Sequence, residues 1–369
     1  MKHLLAIPFA AIVTWLVAWA AGKWLFQKLR VKLSRSEELF LCFVSGSAIL
    51  SLVVFLLTAA RLAYTGVFVA AGALIVLAAW RSGALRPAAD RLPPLPRMWS
   101  AVFWLIYAAY GWFYLAHAMR PEASADGLVY HVAFPAQYLR EHGFPAEPRN
   151  MLMHLSQGLE MLYLFAFALG RHSAPAMVHL LFTLLTPLGL LDYGRRMGRP
   201  AAGVVAGLLF FLSPIVGRDG TTPYLDVGVA AILFAAFYVL EIWREEGANG
   251  APVIAGLLGG FAYAVKYTAG LASLYALGYV VYHLWRQNKP ILRLATGVCL
   301  AAGVMILPWV AKNYLLTGNP ISPFGNELFP NPVVYVSSER SYIHQMSNIS
   351  SVKPAEIPLE VTKIGRAHV

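Results

Sequence analysis

ELFLCFVSGSAILSLVVFLLTAA (38–60) carries one charged side chain, at its first position, and is otherwise apolar or small-residue throughout. A helix of about 20 such residues crosses a hydrocarbon core roughly 30 Å thick. Comparable runs recur at 3–22, 62–80, 98–118, 175–193, 201–217, 223–243 and 291–311. The stretch 252–285 is apolar except for Lys266 and reads as two short or broken spans. Composition agrees, with 59% hydrophobic and 13% charged residues, against about 25% charged in a soluble domain. In a bilayer every backbone N–H and C=O must be satisfied within its own segment, which leaves only helices for such runs. The expected fold is therefore all-α: a polytopic transmembrane helical bundle of about 10–11 spans. An outer-face loop should carry a juxtamembrane amphipathic helix.

The first run follows Met1-Lys2-His3 and has no small-residue cleavage site before the next basic loop, so it reads as an uncleaved span. Cys42 and Cys299 both fall inside apolar runs and are expected to be buried packing residues, not a disulfide or metal site.

The net charge of +11 is spread over short loops, which is not the footprint of a nucleic-acid binder. It reports orientation instead. Lys23, Lys28, Arg30, Lys32 and Arg35 follow the first span, and Arg81, Arg86, Arg91 and Arg97 follow the third. Arg195, Arg196 and Arg199, then Arg244, then Arg286, Lys289 and Arg293 mark the later turns. Basic loops favour the cytoplasm. That puts 119–150, 217–223, the neighbourhood of Lys266 and everything after Lys312 on the outer face. Parity then requires 151–193 to cross an odd number of times, although it holds two apolar pieces, 158–170 and 175–193. The first is short and follows the polar HLSQG (154–158), so it reads as a juxtamembrane or partly inserted helix.

Along the chain, a three-span block (1–80) leads into a linker (81–97) whose RPAADRLPPLPR (86–97) prolines preclude a continuous helix. A transmembrane core (98–311) with the outer loop 119–150 follows. Next comes a polar, Pro-rich segment (312–362) without helical periodicity, read as an incomplete outer loop. The terminal IGRAHV (364–369) matches a common sequencing adapter translated in one frame. Residues 363–369 are set aside on that ground, and the chain is expected to be a C-terminally truncated fragment.

Four polar stretches carry the candidate chemistry. In SADGLVYH (124–131), Asp126 opens a segment, Gly127–His142, with helical periodicity. Leu128, His131/Val132, Pro135 and Leu139 share one face, which suits an interfacial helix with its Tyr and Phe at headgroup depth. Asp126 either caps that helix or acts as a general base toward an acceptor hydroxyl or amine. His131 is either a second acid/base group or an interfacial polar residue. In GRDGTTPYLD (217–226), Arg218 and Asp219 form a local ion pair or line a site. Asp226, inside the apolar start of the next helix, is costly unless paired or functional. It can meet a sugar hydroxyl, a divalent cation or Arg218. In YAVKYTAG (263–270), Lys266 either binds a phosphate or snorkels from an outer turn. In LPWVAKNYLLTGNPISPFGN (307–326), Lys312 ends a span and Pro/Gly/Asn turns follow. The Asn348-Ile349-Ser350 triplet fits a glycosylation pattern that arises often by chance and carries no weight. No Walker loop, zinc-spaced Cys/His set or nucleophile elbow is present, which argues against an ATP-driven pump or a membrane metalloprotease.

Taken together, Asp126 with Tyr130-His131, the YLD turn (224–226), the KYT element (266–268) and the PW…KN…GNP segment (308–320) resemble GT-C superfamily membrane glycosyltransferases. The nearest likeness is to bacterial members related to glycosyltransferase family 39, the protein mannosyltransferases and aminoarabinose lipid A transferases, over roughly 98–326. The resemblance implies transfer of a sugar from a polyprenyl-phosphate donor to a lipid, glycan or protein acceptor, at the outer face of a bacterial inner membrane. It makes Asp126 the base and gives Lys266 and Arg218 the donor phosphate. Tyr130, His131, Asp219, Tyr224, Asp226, Tyr267 and Asn313 then line the cavity. Two departures stand out: Gly127 follows Asp126 where many relatives pair Asp with Glu, and 1–80 falls outside the shared core. The competing expectations are a transporter or flippase of lipid-linked glycans and an inactive membrane scaffold.

Overall fold

A computed structural model describes residues 2–349 except 147 and 149. The 363–369 stretch, residues 350–362 and Ser350 of the Asn348-Ile349-Ser350 triplet lie outside the described residues. Two units are present: Met1–Pro145 with Ser156–Trp309, and Ala146–Leu155 with the chain from Val310 on.

The helices are α1 (Lys2–Lys28), α2 (Phe43–Ala59), α3 (Thr65–Arg81), α4 (Arg97–Ala118), α5 (Ala133–Glu141), α6 (Gly158–Gly170) and α7 (Ala174–Arg196). They continue with α8 (Pro200–Leu212), α9 (Pro214–Asp219), α10 (Asp226–Glu246), α11 (Ala251–Val265), α12 (Leu271–Arg286), α13 (Leu292–Thr317) and α14 (Val336–Ile349). No strand occurs among the described residues. Six segments are long and apolar enough to cross a membrane: Leu5–Lys28, Glu38–Ala59, Arg97–Ala118, Ala174–Arg196, Asp226–Glu246 and Leu292–Thr317. The protein is thus the all-helical, polytopic membrane bundle that the apolar runs call for.

Small residues set the closest helix contacts, as expected where lipid is as apolar as any side chain. A Cβ on Gly46 of α2 would stand 1.7 Å from the Ala18 carbonyl oxygen of α1, and one on Gly22 would stand 1.9 Å from that of Cys42. Neither backbone can withdraw without parting the two helices. Gly46→Ala is therefore expected to destabilise the protein by about 1–3 kcal/mol, read as a lowered melting temperature in detergent.

One end of this first unit gathers the basic loops. Lys23 pairs with Glu38 and donates to the Arg86 carbonyl. Arg195 donates to the carbonyls of Leu92 and Pro93 and pairs with Asp192. Arg196 pairs with the fully buried Glu37 and reaches Glu245 and Glu246 at the end of α10. The Pro/Arg linker is thereby pinned across the ends of α1, α4 and α7. At the opposite end, α6 explains the parity problem of 151–193. It has 13 residues, nearly all buried. Its start lies against Ser51, whose hydroxyl donates to the Gly158 carbonyl, and its end lies against Ala6 and Ala10 near the start of α1. The Thr65 hydroxyl, at the start of α3, donates to the Ala168 carbonyl. Both ends of α6 thus remain in the half of the bundle away from the basic loops, and α6 does not run from one end to the other.

Several local expectations need correction. The 201–217 run breaks at Ser213, which is extended before Pro214 (φ −62°, ψ 123°), giving α8 and a separate short α9. Cys299 is exposed, because α13 turns most of its surface outward; only Cys42 is buried. The span containing Lys312 does not end there but continues to Thr317, with Lys312 buried. The 312–362 segment is not without helix, since Val336–Ile349 forms α14. The periodic stretch Gly127–His142 is not one helix. A π-helical turn, Gly127–His131, precedes α5, and the wider turn shifts the register. His131, Phe134, Pro135 and Tyr138 become the buried face, while Leu128 is exposed. Phe134 and Tyr138 are therefore core residues, not headgroup-depth aromatics, and the Tyr138 hydroxyl donates to Gln157 at 2.7 Å.

The second unit is held by polar side chains bonded to backbone groups. Lys312 donates to the Met153 carbonyl at 2.8 Å, and Asn313 donates to the carbonyls of His154 and Ser322, each at 2.8 Å. Glu339 of α14 accepts the Gly325 and Asn326 N–H groups at 2.8 and 3.0 Å. Burial acts to raise the Glu339 carboxyl, but these donors outweigh it and hold it below the usual carboxylate range.

Candidate functional site

The end of the first unit opposite the basic loops collects a polar cluster from four directions. The 122–131 segment brings His131, α6 brings Glu160 and Tyr163, α7 brings His179, and the 219–226 turn brings Asp219, Tyr224 and Asp226. His131 and Glu160 are both buried, with Nδ1 and Oε1 2.8 Å apart. The second Glu160 oxygen is buried without a hydrogen-bond partner, a costly state for a carboxyl. The His131 and Tyr224 rings lie 5.9 Å apart, and the Tyr163 hydroxyl donates to the Tyr224 carbonyl.

His179 organises the neighbouring turn. Its Nδ1–H donates to the carbonyls of Thr222 (2.8 Å) and Asp219 (3.1 Å), and Nε2 accepts the Gly228 N–H at 3.1 Å. One Nδ1-protonated ring thus ties α9 to the start of α10. The Asp219 carboxylate faces inward as well, accepting the Val227 N–H at 2.9 Å and standing 3.8 Å from His179 Nε2. Burial pushes Asp219 up from the ordinary carboxylate range, against the opposing pull of the Val227 N–H.

Two cations lie outside this buried layer. Arg218 is exposed and, among the described residues, makes no ion pair; of the two alternatives for Arg218 and Asp219 the local ion pair does not form, because Asp219 turns inward. Lys266 does not sit within a span. It terminates α11 in an extended conformation, at the turn before α12, and its Nζ lies 2.6 Å from Asp226 Oδ1. With side chains 47% and 66% exposed, this pair is solvent-screened and worth little as a brace. Tyr267 stacks on Tyr263 at 5.0 Å beside it, and Tyr130 packs on His131 at 4.1 Å. Asn313 belongs to the second unit, where its amide binds backbone carbonyls.

Asp126 opens the turn that carries His131, yet it does not cap it. Its side chain makes no capping hydrogen bond and is exposed. Ser124 does that work, its hydroxyl accepting the Gly127 N–H at 3.1 Å. Glu122 accepts the Ala123 and Ser124 N–H groups and packs against Gly127, where a Cβ would come 2.6 Å from the Glu122 carboxyl carbon. The Glu122 side chain thus occupies the space against Gly127, next to Asp126.

Glu160, Tyr163 and His179 were missed from the sequence. The signal for two of them was present: Glu160 and His179 are ionisable groups within apolar runs, which mark a site or a partner. No group of three or more His, Cys, Asp or Glu side chains arranged to hold a metal ion occurs among the described residues.

Against known proteins, the chain is similar to the GPI alpha-1,6-mannosyltransferase 2 of Mus musculus, with 27% identity over 256 residues. The match covers 61% of this chain and 49% of the mouse protein, so the chain spans about half the length of that relative. No solved structure matches it. A family model described as Domain of unknown function (DUF8201) matches residues 4–332, and the chain belongs to that family.

Proposed function

We propose that the protein is a membrane glycosyltransferase that moves a sugar, mannose by its similarity to the mouse enzyme, from a polyprenyl-phosphate donor to an acceptor hydroxyl. The observation that carries this reading is the state of Asp126: an exposed, unpartnered carboxylate on a turn anchored beneath by the His131–Glu160 pair.

In the proposed reaction the Asp126 carboxylate takes the acceptor's O–H proton as that oxygen attacks the anomeric carbon. The bond from that carbon to the phosphate oxygen breaks, and the polyprenyl phosphate departs with the electron pair. Arg218, free of any carboxylate, and Lys266, held only by a screened pair, supply positive charge for that leaving group. A single displacement of this kind inverts the anomeric centre. With the basic loops in the cytoplasm, the reaction faces the periplasm of a bacterial inner membrane.

Lys266→Ala is expected to raise the KM for the lipid-linked donor about tenfold, the effect of roughly 1.4 kcal/mol of lost binding, with a smaller change in kcat. An unchanged donor KM would remove Lys266 from the phosphate site. The reading itself is tested with purified protein in proteoliposomes given labelled polyprenyl-phosphate mannose and a glycan or lipid acceptor fraction, with and without a chelator. Formation of a labelled acceptor supports it. Movement of the intact donor across the bilayer without transfer would show a flippase instead.

A further inference from the structure

The linker between α3 and α4 does more than join two spans. Together with neighbouring helix ends it frames two cavities at the basic end, remote from the polar cluster. One, of about 860 Å³, is lined by Arg35, Arg91 and Arg195 over a floor of Leu39, Leu92, Pro93 and Pro94. The other, of about 530 Å³, is lined by Arg81 and Arg86 with Trp80 and Leu85.

We propose that these two cavities bind the phosphate-bearing headgroups of anionic phospholipids, with the acyl chains on their apolar walls. Charge accounting supports an anionic occupant. The carboxylates nearby are already matched: Glu37 by Arg196, Glu38 by Lys23 and Asp192 by Arg195. Among the described residues Arg35, Arg81, Arg86 and Arg91 make no ion pair, and all four are exposed; Asp90 is the one carboxylate of the linker, so a positive surplus remains. Guanidinium groups suit phosphate because their paired N–H donors match its oxygens.

The walls are held in place. Arg195 grips the Leu92 and Pro93 carbonyls, the Arg35 N–H donates to the Asp90 carbonyl at 2.9 Å, and Gln27 donates to the Ser82 carbonyl at 2.9 Å. The larger cavity adjoins the start of the Glu38–Ala59 segment at Leu39 and the end of α7 at Arg195, and the smaller adjoins Arg81, which ends α3; these helix ends are at headgroup depth. Leu39 and Trp80, 39% and 66% exposed, give the chains an apolar surface that a free phosphate would leave unused. Basic pockets at helix ends on the positively charged side of a membrane protein have this chemistry.

The test is thermal unfolding of the full chain in a neutral detergent, titrated with phosphatidylglycerol, phosphatidylcholine or inorganic phosphate. Native mass spectrometry of retained lipid provides a second readout. Phosphatidylglycerol is expected to raise the melting temperature by on the order of 5 °C, and phosphatidylcholine and phosphate to leave it unchanged. Arg35→Gln/Arg91→Gln and Arg81→Gln/Arg86→Gln should each keep the unliganded melting temperature and lose part of the shift and of the retained lipid. Combining the four should abolish both. An equal shift with phosphatidylcholine or inorganic phosphate overturns the proposal, as does full lipid retention by the fourfold variant.

Discussion

Asp126→Asn is expected to lower kcat for sugar transfer by about 10²–10⁴-fold, the usual contribution of a positioned general base, with the KM for the donor little changed. Asparagine is chosen because it caps helices as well as aspartate does. Were Asp126 only a cap, the substitution would be silent. The structure already assigns the cap to Ser124, so Ser124→Ala should loosen the turn while Asp126→Asn leaves the fold intact. A fall in kcat at constant donor KM is the signature of an interaction made in the transition state and not in the bound donor. Equal melting temperatures for wild type and variant would separate loss of chemistry from loss of structure.

Glu37→Ala is the substitution expected to cost most in stability, about 3–5 kcal/mol, because it breaks the pair on its buried side and leaves the half-buried Arg196 with only its rim carboxylates. Glu37 is fully buried and accepts Arg196 Nε at 2.7 Å and Nη2 at 2.9 Å, the Ser34 N–H at 2.7 Å and the Tyr238 hydroxyl. It therefore joins the loop after α1 to α7 and α10 at one point. Glu37→Gln keeps the shape and two acceptor lone pairs but not the charge, and should fall between wild type and alanine. A double-mutant cycle with Arg196→Ala isolates the pair: the double variant should be less destabilised than the sum of the single ones. Glu245 and Glu246, which also reach Arg196 at the rim, limit the loss and can be removed to expose its full size.

How much of this was legible beforehand depended on whether a feature is local. The stretch 38–60 and its counterparts declare helices because composition alone decides what a bilayer accepts. The clustering of Lys23, Arg86, Arg195 and Arg196 at one end follows from charge spacing along the chain, and the structure joins those loops by named bonds. The site was legible only in its exposed parts. Asp126, Arg218, Asp226 and Lys266 interrupt apolar runs or lie in turns, and so they stand out. The contacts do not. Nothing in the spacing between Glu160 and His131, or between Lys266 and Asp226, predicts that they meet, because those contacts are fixed by how α6, α10 and α11 pack. The π-helical turn was invisible for a related reason: one added residue in a turn preserves amphipathic periodicity while moving Phe134 and Tyr138 into the core. Arg218 and Asp219 show the converse limit, since adjacency in sequence left a pair open that the Val227 N–H, turning Asp219 inward, does not allow.

The proposed chemistry stands or falls on the donor. The most direct measurement gives the purified protein, in liposomes, labelled mannose as polyprenyl-phosphate mannose in one arm and as a nucleotide sugar without lipid carrier in the other. Acceptor should become labelled from the lipid-linked donor alone, with inverted anomeric configuration, and the labelling should disappear in Asp126→Asn. Labelling from the nucleotide sugar, or undiminished transfer by Asp126→Asn from the lipid-linked donor, would contradict the account.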